Sequence, residues 1–193
     1  DASGYILAWE THTGADWDVY VRRLDNAGAP TSEAMLAHQT TQLDQSHAAL
    51  AIGPSGYAIL CLQTRTDGGT RAVGVSCQRL STLTLELIGP ELKPALVGEE
   101  HAHPSVRYLA DASWAVAWQS EGIDGAMSAV QLQRYTGFGI PMDQRVLVNR
   151  SWEGSEERPT LIPAGGALNA LIIAWEREED GDRDLMYRVL PQL

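Results

Sequence analysis

The chain has 193 residues, enough for one domain with a substantial core. Its 44% apolar content excludes a disordered chain. A formal net charge of −11 argues against nucleic acid and anionic lipid as partners and leaves cations, basic proteins and neutral glycans open. No apolar run approaches the roughly 20 residues of a membrane span. The 18 Gly and 9 Pro, scattered among short apolar runs, point to an all-β chain with frequent turns. The chain enters a strand-like run directly after residue 4 with no signal peptide before it, as a processed start or an excised fragment would.

Taken in order, the elements repeat. Residues 4–10 (GYILAWE) read as a strand, followed by 20–24 (YVRRL) and 34–36 (AML). The second unit places a strand before such a trio: 47–50 (HAAL), then 57–63 (YAILCLQ), 76–80 (SCQRL) and 94–97 (PALV). The third runs 103–106 (HPSV), 113–119 (SWAVAWQ), 132–135 (LQRY) and 145–149 (RVLVN). The fourth runs 158–161 (RPTL), 170–176 (ALIIAWE) and 187–189 (YRV). Trp9, Leu62, Trp118 and Trp175 share one register, at spacings of 53, 56 and 57 residues. Arg23, Arg79, Arg134 and Arg188 share a second.

The expected fold is therefore a single domain over 1–193, an array of four-stranded antiparallel blades with units of approximately 1–46, 47–102, 103–157 and 158–193. The second strand of each unit is apolar throughout rather than alternating, which requires cover on both faces. Stacked β-propeller blades supply that cover; a two-sheet sandwich leaves an outer face wet. Counting strands a to d gives b-c-d, a-b-c-d, a-b-c-d and a-b-c. Two arrangements satisfy the count: a closed four-bladed ring, or part of a larger propeller completed by another chain.

The third unit, from Pro104-Ser105-Val106 through Trp118-Gln119-Ser120 and Gln133-Arg134-Tyr135 to Val148-Asn149, resembles a bacterial repeat of large secreted and surface proteins. The repeat reads PSV..L.DG.(F/W)VVAWQS…QRFD..G…VN and would cover this chain in about three and a half copies. The resemblance implies propeller-like blades and a secreted, periplasmic or cell-surface location; a fold carries no activity with it. Unit two departs from the pattern, with Leu62 in place of Trp and a longer c–d connection.

Several residues then stand out. The register tryptophans read as blade core, and the register arginines as structural pairs that face Glu10 and Glu176 across the b–c hairpins. Cys61 and Cys77 fall on strands b and c of one unit, where a disulfide suits an oxidising compartment and two buried thiols are the alternative. The b–c and d–a loops share one end of the array and carry 16 of the 25 acidic residues. They also hold Trp17 and Trp152. That end offers a candidate binding surface of Asp16, Trp17, Asp18, His101, His103 and Trp152. Asp180, Asp182 and Asp184 have the spacing that can begin a calcium site, but without the later Glu of a full calcium loop; no other cofactor is indicated. Asn149-Arg150-Ser151 is a glycosylation sequon.

These features favour a non-catalytic extracellular module that binds a protein partner or a glycan through the acidic end or through an open blade edge. The alternatives are a glycan-active enzyme of propeller type, which needs a convergent carboxylate pair, and a passive spacer within a large adhesin.

Overall fold

A computed structural model describes residues 4–14, 16–54, 56–66, 72–95, 100–123, 127–149, 154–163 and 170–190. Trp152 lies outside the described residues. All regular structure in them is β. The first sheet holds β1 (Tyr5–Thr13), β2 (Asp16–Leu24) and β3 (Met35–Leu36). The second is β4 (Asp44–Ile52), β5 (Tyr57–Arg65), β6 (Ala72–Ser81) and β7 (Leu87–Leu92), paired in that order. The third is β8 (His101–Tyr108), β9 (Trp114–Glu121), β10 (Ser128–Tyr135) and β11 (Val146–Leu147). The fourth is β12 (Ser155–Pro163), β13 (Leu171–Glu179) and β14 (Asp182–Leu190). Neighbours within each sheet are antiparallel. One parallel bridge, Ser128 to Ser155, ties the third sheet to the fourth, and the two hydroxyls are 2.6 Å apart.

Three apolar cores lie between the four sheets, and strand alternation explains them. In β5, Leu62, Leu60 and Ala58 face the first sheet and meet Val19, Val21 and Ala37. Cys61 and Ile59 face the other way and pack with Trp114, Val116 and Trp118 of β9. Ala115 and Ala117 of β9, with Val130 and Leu132, meet Leu161, Leu171, Ile173 and Trp175 of the fourth sheet. β5 and β9 are thus buried on both faces, which is why residues 58–62 and 114–118 are apolar without alternation. This is the stacking of propeller blades, as expected from the sequence. Trp118 is fully buried with the His101 ring edge-on at 6.5 Å, and Trp114 stacks on Tyr135 at 4.3 Å. Cys61 and Cys77 are directly paired and form a disulfide.

Several expectations need correction. The register arginines do not meet Glu10 or Glu176. Arg23 donates to the Leu83 carbonyl of the next sheet at 2.8 Å, and Arg79 to the Phe138 carbonyl of the third at 3.1 Å. They are straps between blades. Arg134 instead lies 3.8 Å from Asp111 and 3.9 Å from Asp143. Arg188 is one residue out of register: Val189, not Arg188, pairs with Ile172, just as Arg134 pairs with Ala115. Its guanidinium therefore points to the opposite face and donates to the Val148 carbonyl at 2.8 Å. Trp17 and Asp18 belong to β2 rather than to a loop. Asn149, the sequon residue, is buried and accepts a bond from the Val130 N–H at 3.0 Å, so its amide serves the fold.

Candidate active site

The inner strands β4, β8 and β12 lie side by side, each packed on the next. Each breaks its ladder once, between Ser46 and Ala49, Ala102 and Ser105, and Glu157 and Thr160. The residues released are His47, His103 and Arg158, all with φ of 51°. Left-handed backbone costs a non-glycine residue roughly 1–2 kcal/mol, so a bulge repeated three times is held by its surroundings. Part of the hold comes from the preceding blade. The His47 N–H donates to Glu10 Oε1 at 2.6 Å, and the His103 N–H to Gln63 Oε1 at 3.1 Å. Glu10 and Gln63 directly follow the register residues Trp9 and Leu62.

The bulges place a polar column along the inner strands. The His47 and His103 rings meet edge to face at 4.8 Å. Arg65 Nη2 lies 3.3 Å from His47 Nδ1, and Arg158 donates to Glu176 at 3.0 Å. Burial first, and then the neighbouring His47, Arg158 and Arg65, hold His103 down to about 4 against the opposing pull of Glu176. Burial and Arg65 lower His47 in the same way, against Glu10. Both rings are thus neutral at neutral pH, presenting one donor and one acceptor nitrogen each, a chemistry suited to hydroxyl groups.

Carboxylates gather at the end of this column. Glu121 closes β9, and its N–H donates to the Glu100 carbonyl at 2.9 Å. Its side chain accepts from Gln119 Nε2 at 3.2 Å. Glu121 is exposed at the strand end, but partial desolvation by its surroundings raises its carboxyl above the ordinary glutamate value; the charges of Glu100 and Glu157 add to the rise, and the Gln119 bond opposes it. Glu157, on β12, accepts from the Ser155 hydroxyl at 3.2 Å. Ser155, Glu157, Glu176, Glu178 and Arg183 lie close together here. A carboxyl biased toward its protonated form, with further carboxyl groups close by, is a setting in which proton transfer can be arranged.

The structure divides the residues expected to bind. Trp17 is exposed with its ring against His12, and its N–H donates to Asp44 Oδ1 at 3.0 Å. That bond joins the start of β2 to the start of β4, so the β1–β2 turn and the β3–β4 connection lie at the same end. Asp16 is half-buried at the start of β2. Asp18 faces inward, 3.4 Å from His38 Nε2. His101 is fully buried, with Nδ1 2.8 Å from the Ser120 hydroxyl and its ring beside Trp118. Among the described members of the set, His103 is the one that joins the inner column. Asp180, Asp182 and Asp184 are exposed around the β13–β14 turn, and among the described residues no three acidic, His or Cys side chains converge to hold a metal. Sequence reasoning placed Glu121 and Glu157 at the acidic end without singling them out. Their signal was position, at the end of a b strand and the start of an a strand on the same end of the array.

No family model matches the chain, and no curated protein matches it. Its likeness is to solved structures. The endo-arabinase of Bacteroides thetaiotaomicron VPI-5482 superposes with a TM-score of 0.60 at 14% identity, over 100% of this chain and 72% of that one. A thermostable family-43 glycoside hydrolase gives 0.58 at 11% identity, over 97% and 68%. An N-acetylgalactosamine deacetylase from F. plautii, solved with blood group B trisaccharide, gives 0.54 at 12% identity, over 95% and 67%. The glycoside hydrolases in this group are five-bladed β-propellers. These neighbours, named as carbohydrate-active enzymes, speak against the expectation of a non-catalytic binding module, which is set aside. The chain is an all-β propeller array sharing the fold of these enzymes.

Proposed function

We propose that the chain is the framework of a glycan-active enzyme of the glycoside hydrolase type, working at the end of the array where Glu100, Glu121 and Glu157 gather. The observation that carries the reading is the meeting of carboxyl groups from two sheets: Glu121 at the end of β9 feels the charges of Glu100 and Glu157, and Glu157 accepts the Ser155 hydroxyl. In this reading Glu121 donates its proton to the glycosidic oxygen as the bond to the anomeric carbon breaks. Glu157 accepts a proton from the attacking water or supports the developing positive charge. The neutral His47 and His103 rings hydrogen-bond sugar hydroxyls. Likeness in fold to an endo-arabinase and a family-43 hydrolase supports arabinan-type glycans as first substrates to try. The Cys61–Cys77 disulfide supports a secreted, periplasmic or cell-surface location.

The test is release of reducing ends from arabinan, with fructan in parallel, by the wild-type protein and by Glu121→Gln. The expected result is activity that falls about 10²-fold or more in the variant while binding of the glycan persists. Equal rates for both proteins would overturn the assignment of Glu121.

A further inference from the structure

The repeat allows each exposed surface to be compared with its buried counterparts. On the side of each sheet that faces the following one, β2 presents Val19 and Val21, β6 presents Val75 and Cys77, and β10 presents Val130 and Leu132. All six are between 0% and 2% exposed, packed on the next sheet. Cross-strand pairing places Leu185 and Tyr187 at the same positions in β14, because Met186 pairs with Trp175 as Gln131 pairs with Trp118. Yet Leu185 is 77% and Tyr187 71% exposed. The opposite side of the array repeats the pattern. Ala58 and Leu60, Trp114 and Val116, and Leu171 and Ile173 face the preceding sheet and are at most 4% exposed. Their counterparts in β1, Tyr5 and Leu7, are 63% and 47% exposed. At a third register Glu10 and Gln63 each accept the bulge N–H of the next inner strand, and Glu176 meets the side chains of Arg158 and Arg183.

We infer that these two apolar faces receive the two sides of one further four-stranded antiparallel β-blade of the same repeat, supplied from outside the 193 residues. Its side against β14 carries a bulky residue in the tryptophan register, to fill the space over Leu185 and Tyr187. Its inner strand carries a bulge whose N–H donates to Glu176. Its other side carries small residues against Tyr5, Leu7 and the stacked Trp9–Tyr20 pair. The choice of one blade rather than a second copy of the chain rests on the likeness in fold: the four sheets superpose, over the whole chain, on five-bladed propellers. Flush packing of a contiguous apolar surface, rather than solvent, is what such a face requires.

The experiment places p-benzoylphenylalanine at position 187 (Tyr187→p-benzoylphenylalanine) in the protein as produced by its native host, followed by irradiation and sequencing of the cross-linked peptide. The expected partner peptide is a strand with the apolar, tryptophan-register pattern of residues 113–119, coming from outside residues 1–193. A cross-link to β14 or β1 of a second copy overturns the proposal, as does the absence of any cross-link. Amide exchange across β14 provides the independent readout. Protection like that of β10 supports a covering blade, and exchange at unprotected rates opposes one. Neither outcome depends on hydrolytic activity, so failure here leaves the assignment of Glu121 standing.

Discussion

Lowering the pH from 7 to 5 loads a proton on any exposed histidine, but His103 resists it. Its folded-state value of about 4 lies below the ordinary 6.5, so unfolding is coupled to proton uptake throughout that interval. For a base whose value is depressed by folding, stability is fully present above the unfolded value near 6.5 and is lost as pH falls toward 4. The 1.5 units between 6.5 and pH 5 amount to ~2 kcal/mol before screening, and solvent around this half-buried ring reduces that to about 1 kcal/mol. The groups facing the ring are His47, Arg158, Arg65 and Glu176; the cations oppose protonation and Glu176 favours it. His103→Asn removes the titration while keeping the left-handed backbone, which Asn tolerates, and the N–H bond to Gln63. Urea unfolding at pH 7 and pH 5 should show the wild type losing about 1 kcal/mol more than His103→Asn. Equal losses in the two proteins would refute the account of the histidine pair.

Further expectations follow from the packing. Trp118→Ala empties a fully buried site between the second and third sheets and should cost about 3–5 kcal/mol in urea unfolding. Cys61→Ala combined with Cys77→Leu copies the Ala117–Leu132 pair of the third sheet. Reductant should lower the Tm of the wild type, by up to about 3 kcal/mol of lost cross-link stabilisation, and leave that variant unmoved. Gly53→Ala would set a methyl group 2.5 Å from the Tyr108 ring, which leans across from the third sheet. A loss of about 1–3 kcal/mol is expected by thermal unfolding, and an unchanged midpoint would show that the ring moves freely.

Much of the fold was legible because burial on both faces writes itself into composition. The apolar runs at 57–63 and 113–119 became β5 and β9, and the paired Cys61 and Cys77 became a disulfide because one strand pairing forces them opposite each other. The register broke down where turn length mattered. Asp180 and Gly181 take φ of 53° and 86° in a tight turn, which advances β14 by one residue and carries Arg188 to the wrong face. His101 sits in an acidic stretch that reads as a loop, yet the strand begins at that residue and its ring is buried on Trp118. The bulges at His47, His103 and Arg158 were visible only as recurring polar residues. Their meaning depends on neighbouring blades, which no local pattern records. Glu121 and Glu157 come from separate sheets, so their approach is a property of the stacking alone.

The claim on which the functional account rests is that glycan chemistry belongs to the inner column and its carboxylates, not to the Trp17 rim. Crystals of the protein soaked with arabino-oligosaccharide test it most directly. The account predicts a sugar within hydrogen-bond distance of Glu121 and Glu157, with its hydroxyls near His47 or His103. Sugar bound only on the exposed Trp17, with the carboxylate cluster unvisited, would contradict it.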